Sequence, residues 1–186
     1  MGQHFGWHIF YEDVDHNPYL DDFYEDMKRW SFNLQIYFLN SRFAQVKQIQ
    51  QGDRTVIQDR TIYEDANIFA PNLYEMGLMT PRDFENYTTL FKSISSLLDP
   101  PDLLIYLRAS IPTLLQQIRR RGRNFESNIR PDYLENLNNY YETWINNYEA
   151  GKLLILDIDN LNYADNPADL QKVIELVAAE LSDFHR

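Results

Sequence analysis

The sequence has no cysteine, so neither a disulfide framework nor a thiolate metal site is open to it, and the cytoplasm is the expected compartment. Cations are also scarce. Seventeen Lys and Arg stand against 28 Asp and Glu, a net charge of −11, which argues against a surface that wraps a nucleic-acid backbone, because that affinity comes from cations neutralising phosphates. No apolar run approaches the ~20 residues that span a bilayer. The N-terminus lacks the charged and apolar regions of a signal peptide, so a soluble protein away from membranes is expected. His4, His8, His16 and His185 lack the paired spacing of zinc ligands. A magnesium ion held by one or two carboxylates and substrate phosphates would leave no such spacing and stays open. There is no internal repeat, low-complexity stretch or linker, and 186 residues suffice for one substantial core, so a single domain over residues 1–186 is expected.

What is present is an alternation. Short apolar and β-branched runs, Trp7-His-Ile-Phe-Tyr11, Thr55-Val-Ile-Gln58, Leu103-Leu-Ile-Tyr-Leu107 and Leu153-Leu-Ile-Leu156, are separated by long stretches of helical period. The runs are predicted to be buried strands, and the alternation predicts a parallel sheet with helices on both faces, a three-layer α/β fold. Within residues 21–50, Phe23, Met27, Trp30, Leu34 and Phe38 recur three or four apart as one apolar stripe, expected to be core. Thr80 before Pro81, with Asp83 following, predicts the start of a helix that runs toward Leu98. Ser110 predicts the cap of a helix over Ile111–Arg121, with Gly122 as its left-handed end. Two more helices are predicted over 131–149 and 167–183.

Open parallel sheets bind ligands beyond the carboxyl ends of their strands. Glu12 and Asp13 follow the first run, Asp59 and Arg60 the second, and Asp157 and Asp159 the fourth. Each acidic residue alone reads equally well as a helix cap; together they mark an edge where chemistry could sit. Arg119, Arg120, Arg121 and Arg123 bracket Gly122 at a predicted helix end. The helix dipole favours cations there by about 0.3–1 kcal/mol each, but one or two would satisfy it. An arginine cluster beside a glycine suits a clamp on transferring phosphates.

Four segments carry a resemblance: Phe23-Tyr-Glu-Asp-Met-Lys-Arg-Trp-Ser-Phe-Asn-Leu-Gln35 with Ser41-Arg42; Gln58-Asp-Arg-Thr-Ile-Tyr-Glu-Asp65 through Ile68-Phe69; Arg121-Gly-Arg-Asn-Phe-Glu126; and Leu156-Asp-Ile-Asp159. In order, they resemble the substrate-binding helices, the acidic-Arg-Ser segment (with Thr61 where serine is usual), the arginine-rich lid (about 119–127 here) and the adenine-holding loop of deoxyribonucleoside kinases. The resemblance implies a P-loop kinase fold, ATP and Mg2+, and transfer of the γ-phosphate to the 5′-hydroxyl of a deoxynucleoside. It implies that Glu12 or Asp59 acts at the 5′-hydroxyl, with Glu12 first as general base and Asp59 nearer the magnesium, and that Arg60 holds charge at the hydroxyl. Tyr24 and Glu126 would grip the sugar, Gln35, Arg42 and Asp65 read the base, and Phe69 stack on it. Arg119, Arg121 and Arg123 would hold phosphate, and Asp157 and Asp159 would lie at the donor's adenine. The Arg42 and Asp65 pair resembles the branch that takes deoxyadenosine, deoxyguanosine or deoxycytidine, and a purine is expected first.

Geometry adds one expectation of its own. Gln35 and Arg42 are two helical turns apart, about 10 Å along one face, within joint reach of a base. Tyr24 would lie about 16 Å from Gln35 on a straight helix, too far for one nucleoside, so a break is predicted between Glu25 and Trp30.

The family opens with a strand and a Gly-x-x-x-x-Gly-Lys-[Ser/Thr] loop that cradles phosphates, whereas His4-Phe-Gly-Trp7 resembles the end of the helix that follows, so roughly two dozen residues are absent by comparison. The expectation is a chain that recognises a deoxynucleoside better than it phosphorylates one, with sheet strands left unpaired. A non-catalytic kinase-like subunit is the alternative. The resemblance also implies a homodimer, with Phe84, Leu90, Phe91, Ile94 and Leu98 as a candidate contact face.

Overall fold

The computed structural model describes residues 1–12, 16–122, 129 and 131–182. The elements run α1 (Gly2–Phe5), β1 (His8–Phe10), α2 (Leu20–Glu25), α3 (Met27–Gln51), β2 (Val56–Gln58), α4 (Ile62–Glu64), a π-helical turn (Asp65–Phe69), α5 (Ala70–Glu75), α6 (Pro81–Ser95), β3 (Leu103–Arg108), α7 (Ile111–Arg121), α8 (Pro131–Asn146), β4 (Lys152–Asp157) and α9 (Pro167–Leu181). All four predicted strands form. Among the described residues they pair as two parallel ladders, β1 with β2 and β3 with β4, rather than as the one sheet that the alternation alone predicts; strands left unpaired were expected from the resemblance. The chain divides accordingly into two units: Met1–Asp99 with Arg123–Trp144, and Pro100–Gly122 with Ile145–Arg186.

The first unit is mostly helical. Its core gathers Phe23, Leu34, Leu39, Ile62, Ile68, Leu73 and Tyr87, with Tyr133 and Leu137 from α8. The long helical stretch breaks where reach required it. Asp26 leaves the helical region at φ −139° and ψ 81°, ending α2, and its carboxylate caps α3 by accepting from the Arg29 N–H at 3.0 Å. The buried face of α3 differs from a plain apolar stripe: Ser31, Gln35 and Arg42 are buried along it beside Leu34 and Leu39, while Met27, Trp30 and Phe38 pack at its margin. Three buried polar groups on one helix face cost free energy unless they are paired or used. Thr80 caps α6 by accepting from the Asp83 N–H at 3.2 Å, and Pro81 opens the helix as expected, though it ends at Ser95. Four of the five α6-region residues considered as a subunit contact instead pack on their own core. Phe84, Phe91 and Ile94 lie against it and Leu98 is buried; Leu90 alone of the five is exposed, at 40%.

In the second unit, α9 packs on β4 through a face that buries Val173, Ile174 and Val177, and Lys152 on β4 pairs with Glu180 at 2.9 Å. Gly122 ends α7 at φ 66°, a left-handed conformation that favours glycine. Ser110 does not cap α7 with its side chain; its hydroxyl meets Thr113 Oγ1 at 3.2 Å, and its N–H donates to Asp159 Oδ1 at 2.8 Å.

Candidate functional site

The ladder β1–β2 positions the first part of the site. His8 pairs with Val56 and Phe10 with Gln58. The same register, carried past the strand ends, sets Glu12 opposite Arg60, whose Nη1 donates to Glu12 Oε1 at 3.0 Å. Asp59 begins the turn, exposed, with its N–H held by the Phe10 carbonyl at 2.9 Å. Arg60 is the one non-glycine residue of positive φ among the described residues, at 62°. Such a conformation costs about 1–3 kcal/mol and persists where the surroundings enforce it. The enforcement is the capping box that follows: Thr61 Oγ1 accepts from the Tyr63 N–H at 3.1 Å, and the Thr61 N–H donates to Glu64 Oε2 at 2.8 Å. Thr61 therefore fills the cap that serine would fill.

α3 supplies the second part. The Arg42 guanidinium is 4% exposed; one nitrogen donates to Asp65 and the other to Glu12 Oε1, the latter at 2.6 Å. Asp65 opens the π-helical turn, a feature often found at functional sites. Phe69 closes that turn and lies under the Arg60 guanidinium, 5.0 Å from ring centroid to Cζ. The result is one charge network: Asp65, Arg42, Glu12, Arg60. Two guanidiniums thus share one Glu12 oxygen. Burial pushes the Asp65 carboxyl up to about 6 although Arg42 opposes this. Burial also works against charge on Arg60, yet Glu12 foremost, with Tyr141 and Asp59, outweighs it and holds the guanidinium charged. Gln35, 3% exposed, keeps its Oε1 without a hydrogen-bond partner among the described residues, a spare buried acceptor one helix face from Arg42.

α8 adds residues that sequence reading had not placed in the site. Tyr133 and Tyr141 both sense the Arg60 charge, and Tyr133 also senses Tyr24, so the three phenols and Arg60 share one neighbourhood. Tyr141 meets Phe69 edge to face at 6.3 Å, and burial pushes its phenol up to about 12. Their signal was available as an aromatic recurrence in α8 at helical spacing, but such a stripe reads as ordinary core. Glu64, buried in the capping box, was likewise passed over.

The remaining expected residues belong to the second unit or fall outside the described residues. Arg119, Arg120 and Arg121 are exposed on the last turn of α7 in the second unit, where Arg120 pairs with exposed Asp165 at 2.5 Å. Asp157 Oδ1 accepts the Asp159 N–H at 3.1 Å and Asp159 in turn holds Ser110, so both carboxylates shape the loop after β4. The Ser110 N–H foremost, helped by Thr113, holds the exposed Asp159 carboxyl below its usual range. Arg123, Glu126 and Asp13 fall outside the described residues. Among the described residues no three His, Asp or Glu side chains converge as a metal cage. Exposed Asp59 fits a magnesium ion only as one carboxylate that shares it with substrate phosphates.

Parallel strand pairs among helices, with a buried arginine–carboxylate network beyond the strand ends, define an α/β protein with a candidate site at its strand termini, where open parallel sheets bind small ligands. The Deoxynucleoside kinase family profile matches residues 1–182. A deoxyadenosine/deoxycytidine kinase of Bacillus subtilis is 36% identical over 185 residues, covering 98% of this chain and 85% of that protein. A deoxyguanosine kinase of Lactobacillus johnsonii is 37% identical over 193 residues, covering 99% and 85% respectively. The structure of deoxyadenosine kinase from M. mycoides with bound dATP superposes with a TM-score of 0.82 at 31% identity, over 95% of this chain and 89% of that one. The chain belongs to the deoxynucleoside kinase family.

Proposed function

We propose that this kinase transfers the γ-phosphate of ATP to the 5′-hydroxyl of a purine deoxynucleoside, with deoxycytidine as a further substrate. The observation that carries the reading is the network in which Arg42 ties base-reading Asp65 to Glu12. One rigid link then sets the base against the carboxylate that receives the hydroxyl proton, and positioning is the main demand of phosphoryl transfer. Glu12 would take the 5′-hydroxyl proton while Arg60 steadies the charge that develops beside it. Gln35, Arg42 and Asp65 would present acceptor, donor and acceptor to the base edge, and Phe69 would stack on the ring. Tyr24 and Glu126 would hold the deoxyribose. Asp59 would hold a magnesium ion, which would supply charge neutralisation. Arg119, Arg121 and Arg123 would contact the transferring phosphate, and Asp157 and Asp159 would shape the loop at the donor's adenine. A cytoplasmic homodimer is part of the proposal, and sedimentation tests the dimer.

Calorimetric titration with deoxyadenosine, deoxyguanosine and adenosine, alongside a phosphorylation assay with ATP and magnesium, tests the reading. Both deoxynucleosides should bind, with adenosine about tenfold weaker, ~1.4 kcal/mol, and whatever phosphate is transferred should be found at the 5′ position. Binding of neither deoxynucleoside overturns it.

A further inference from the structure

Tyr87 is a buried group that the reading above leaves without work. It lies on α6, which packs against the Arg42-bearing helix α3, is 1% exposed, and its hydroxyl has no hydrogen-bond partner among the described residues. Burial foremost raises its phenol; of its charged neighbours, Asp65 raises it further and Arg42 lowers it. The hydroxyl therefore sits within the field of the base-reading pair, on an element that carries none of the expected site residues. Phenylalanine would fill the same space without an unpaired polar atom, so an orphaned hydroxyl at this position asks for a use.

The chemistry of the pair supplies one. Arg42 has one nitrogen committed to Asp65 and the other to Glu12. A base with an exocyclic amino group needs a carboxylate oxygen as acceptor, and its ring nitrogen or carbonyl needs an Arg42 N–H. Meeting both demands loosens the contact between Arg42 and Asp65. A carboxylate accepts at both oxygens, and a phenol hydroxyl rotates freely to donate to either.

We propose that the Tyr87 hydroxyl is a rear anchor for the base-reading pair: when an amino-bearing base engages Asp65, Tyr87 donates to the carboxylate oxygen the base does not occupy and fixes the carboxylate as acceptor. Tyr87 is thus a positioning residue that favours adenine, guanine and cytosine over bases without an amino group at that edge. The proposal rests on the deoxynucleoside reading.

The test is Tyr87→Phe, titrated with deoxyadenosine and with 2′-deoxyribosylpurine, which lacks the 6-amino group. The variant should unfold no earlier than wild type, since it loses no native hydrogen bond. Its affinity for deoxyadenosine should fall about tenfold, ~1.4 kcal/mol, while that for deoxyribosylpurine changes less than about twofold, ~0.4 kcal/mol on the same scale. In turnover, KM for deoxyadenosine should rise with kcat nearly unchanged, the pattern of a group that acts in ground-state binding. An equal loss on both ligands would reveal a merely structural role and overturn the proposal, as would no loss on deoxyadenosine. Wild type that binds neither ligand overturns the deoxynucleoside reading and this proposal together. Wild type that binds both, with the variant's ratio unchanged, overturns this proposal alone.

Discussion

Glu12 and Arg60 stand 48 residues apart, the offset that pairs His8 with Val56 in the β1–β2 ladder, and their side chains meet at 3.0 Å. The parallel register thus continues past the last ladder bond and becomes the register of the site. The second unit repeats the device: Ser110 and Asp159 keep the offset of 49 that pairs Leu103 with Lys152. Strand pairing, rather than loop folding, decides which carboxylate meets which cation.

Arg42 is where the network is most exposed to damage. It is 4% exposed, and its removal leaves buried Asp65 without the cation it is bonded to. Arg42→Met should lower unfolding stability by about 3–5 kcal/mol, the cost of an uncompensated buried charge. The double variant Arg42→Met, Asp65→Leu should recover much of it, because apolar replacement of both partners removes the orphan. Urea midpoints of the three proteins check this, and neither variant should bind deoxynucleosides.

Asp65 gives two pH dependences of opposite sign. Its folded value of about 6 lies above its ordinary 3.8, so between these values the fold holds a proton that the unfolded chain has released. Its contribution to stability is complete below about 4 and is lost as pH rises through about 6. Affinity for an amino-bearing base needs the carboxylate and should instead fall as pH drops through about 6. Asp65→Asn should flatten both curves between about pH 4 and 7, read by denaturant midpoint and by titration.

The fold was legible where local chemistry dictates it, and the site only in part. Thr80, Pro81 and Gly122 act through their own backbone neighbours, so their roles follow from sequence. The break at Asp26 followed from the roles the resemblance gives Tyr24 and Gln35, since one nucleoside cannot span three turns of straight helix. The division of the strands into two ladders is not legible in the apolar runs, which say that a strand is buried and nothing about which strand lies beside it; the expectation of strands left unpaired came from the family resemblance. Tyr87, Tyr133 and Tyr141 were hidden for a related reason: an aromatic at helical spacing looks the same whether its phenol stands in solvent or in a buried, charged surrounding.

Arg60 should show a trade between stability and activity. Arg60→Gly relieves its positive φ but gives up the bond to Glu12 and the contact with Phe69. A half-exposed ion pair is worth ~0–1 kcal/mol and the strain ~1–3 kcal/mol. Thermal unfolding should therefore stay level or rise slightly, while kcat for deoxyadenosine falls at least about 100-fold, ~2.7 kcal/mol, as expected when a transition-state charge partner is removed.

Asn72 on α5 is fully buried, and both ends of its amide lack partners among the described residues. Leucine is too large for a closed asparagine site, whereas alanine removes both unpaired ends without crowding. Asn72→Ala should leave stability level or higher, a desolvation gain of about 1–3 kcal/mol offsetting the small cavity. A fall of similar size in the denaturation midpoint would show instead that the amide is hydrogen-bonded in solution.

Asp26 tests the geometry that brings Tyr24 and Gln35 to one ligand. Its carboxylate caps α3 and its backbone leaves the helical region, so α2 and α3 are separate helices. Asp26→Ala removes the cap, worth about 0.5–2 kcal/mol, and substitutes the residue that best favours one continuous helix. A partly straightened helix would carry Tyr24 toward ~16 Å from Gln35. Loss of the cap alone should lower stability and leave KM unchanged once the folded fraction is accounted for. Loss of the break should raise KM for deoxyadenosine about tenfold, ~1.4 kcal/mol. It should also narrow the preference for deoxyadenosine over adenosine, since Tyr24 would no longer stand against the sugar. Asp26→Asn keeps a capping oxygen and a poor helix former, and should retain both KM and that preference.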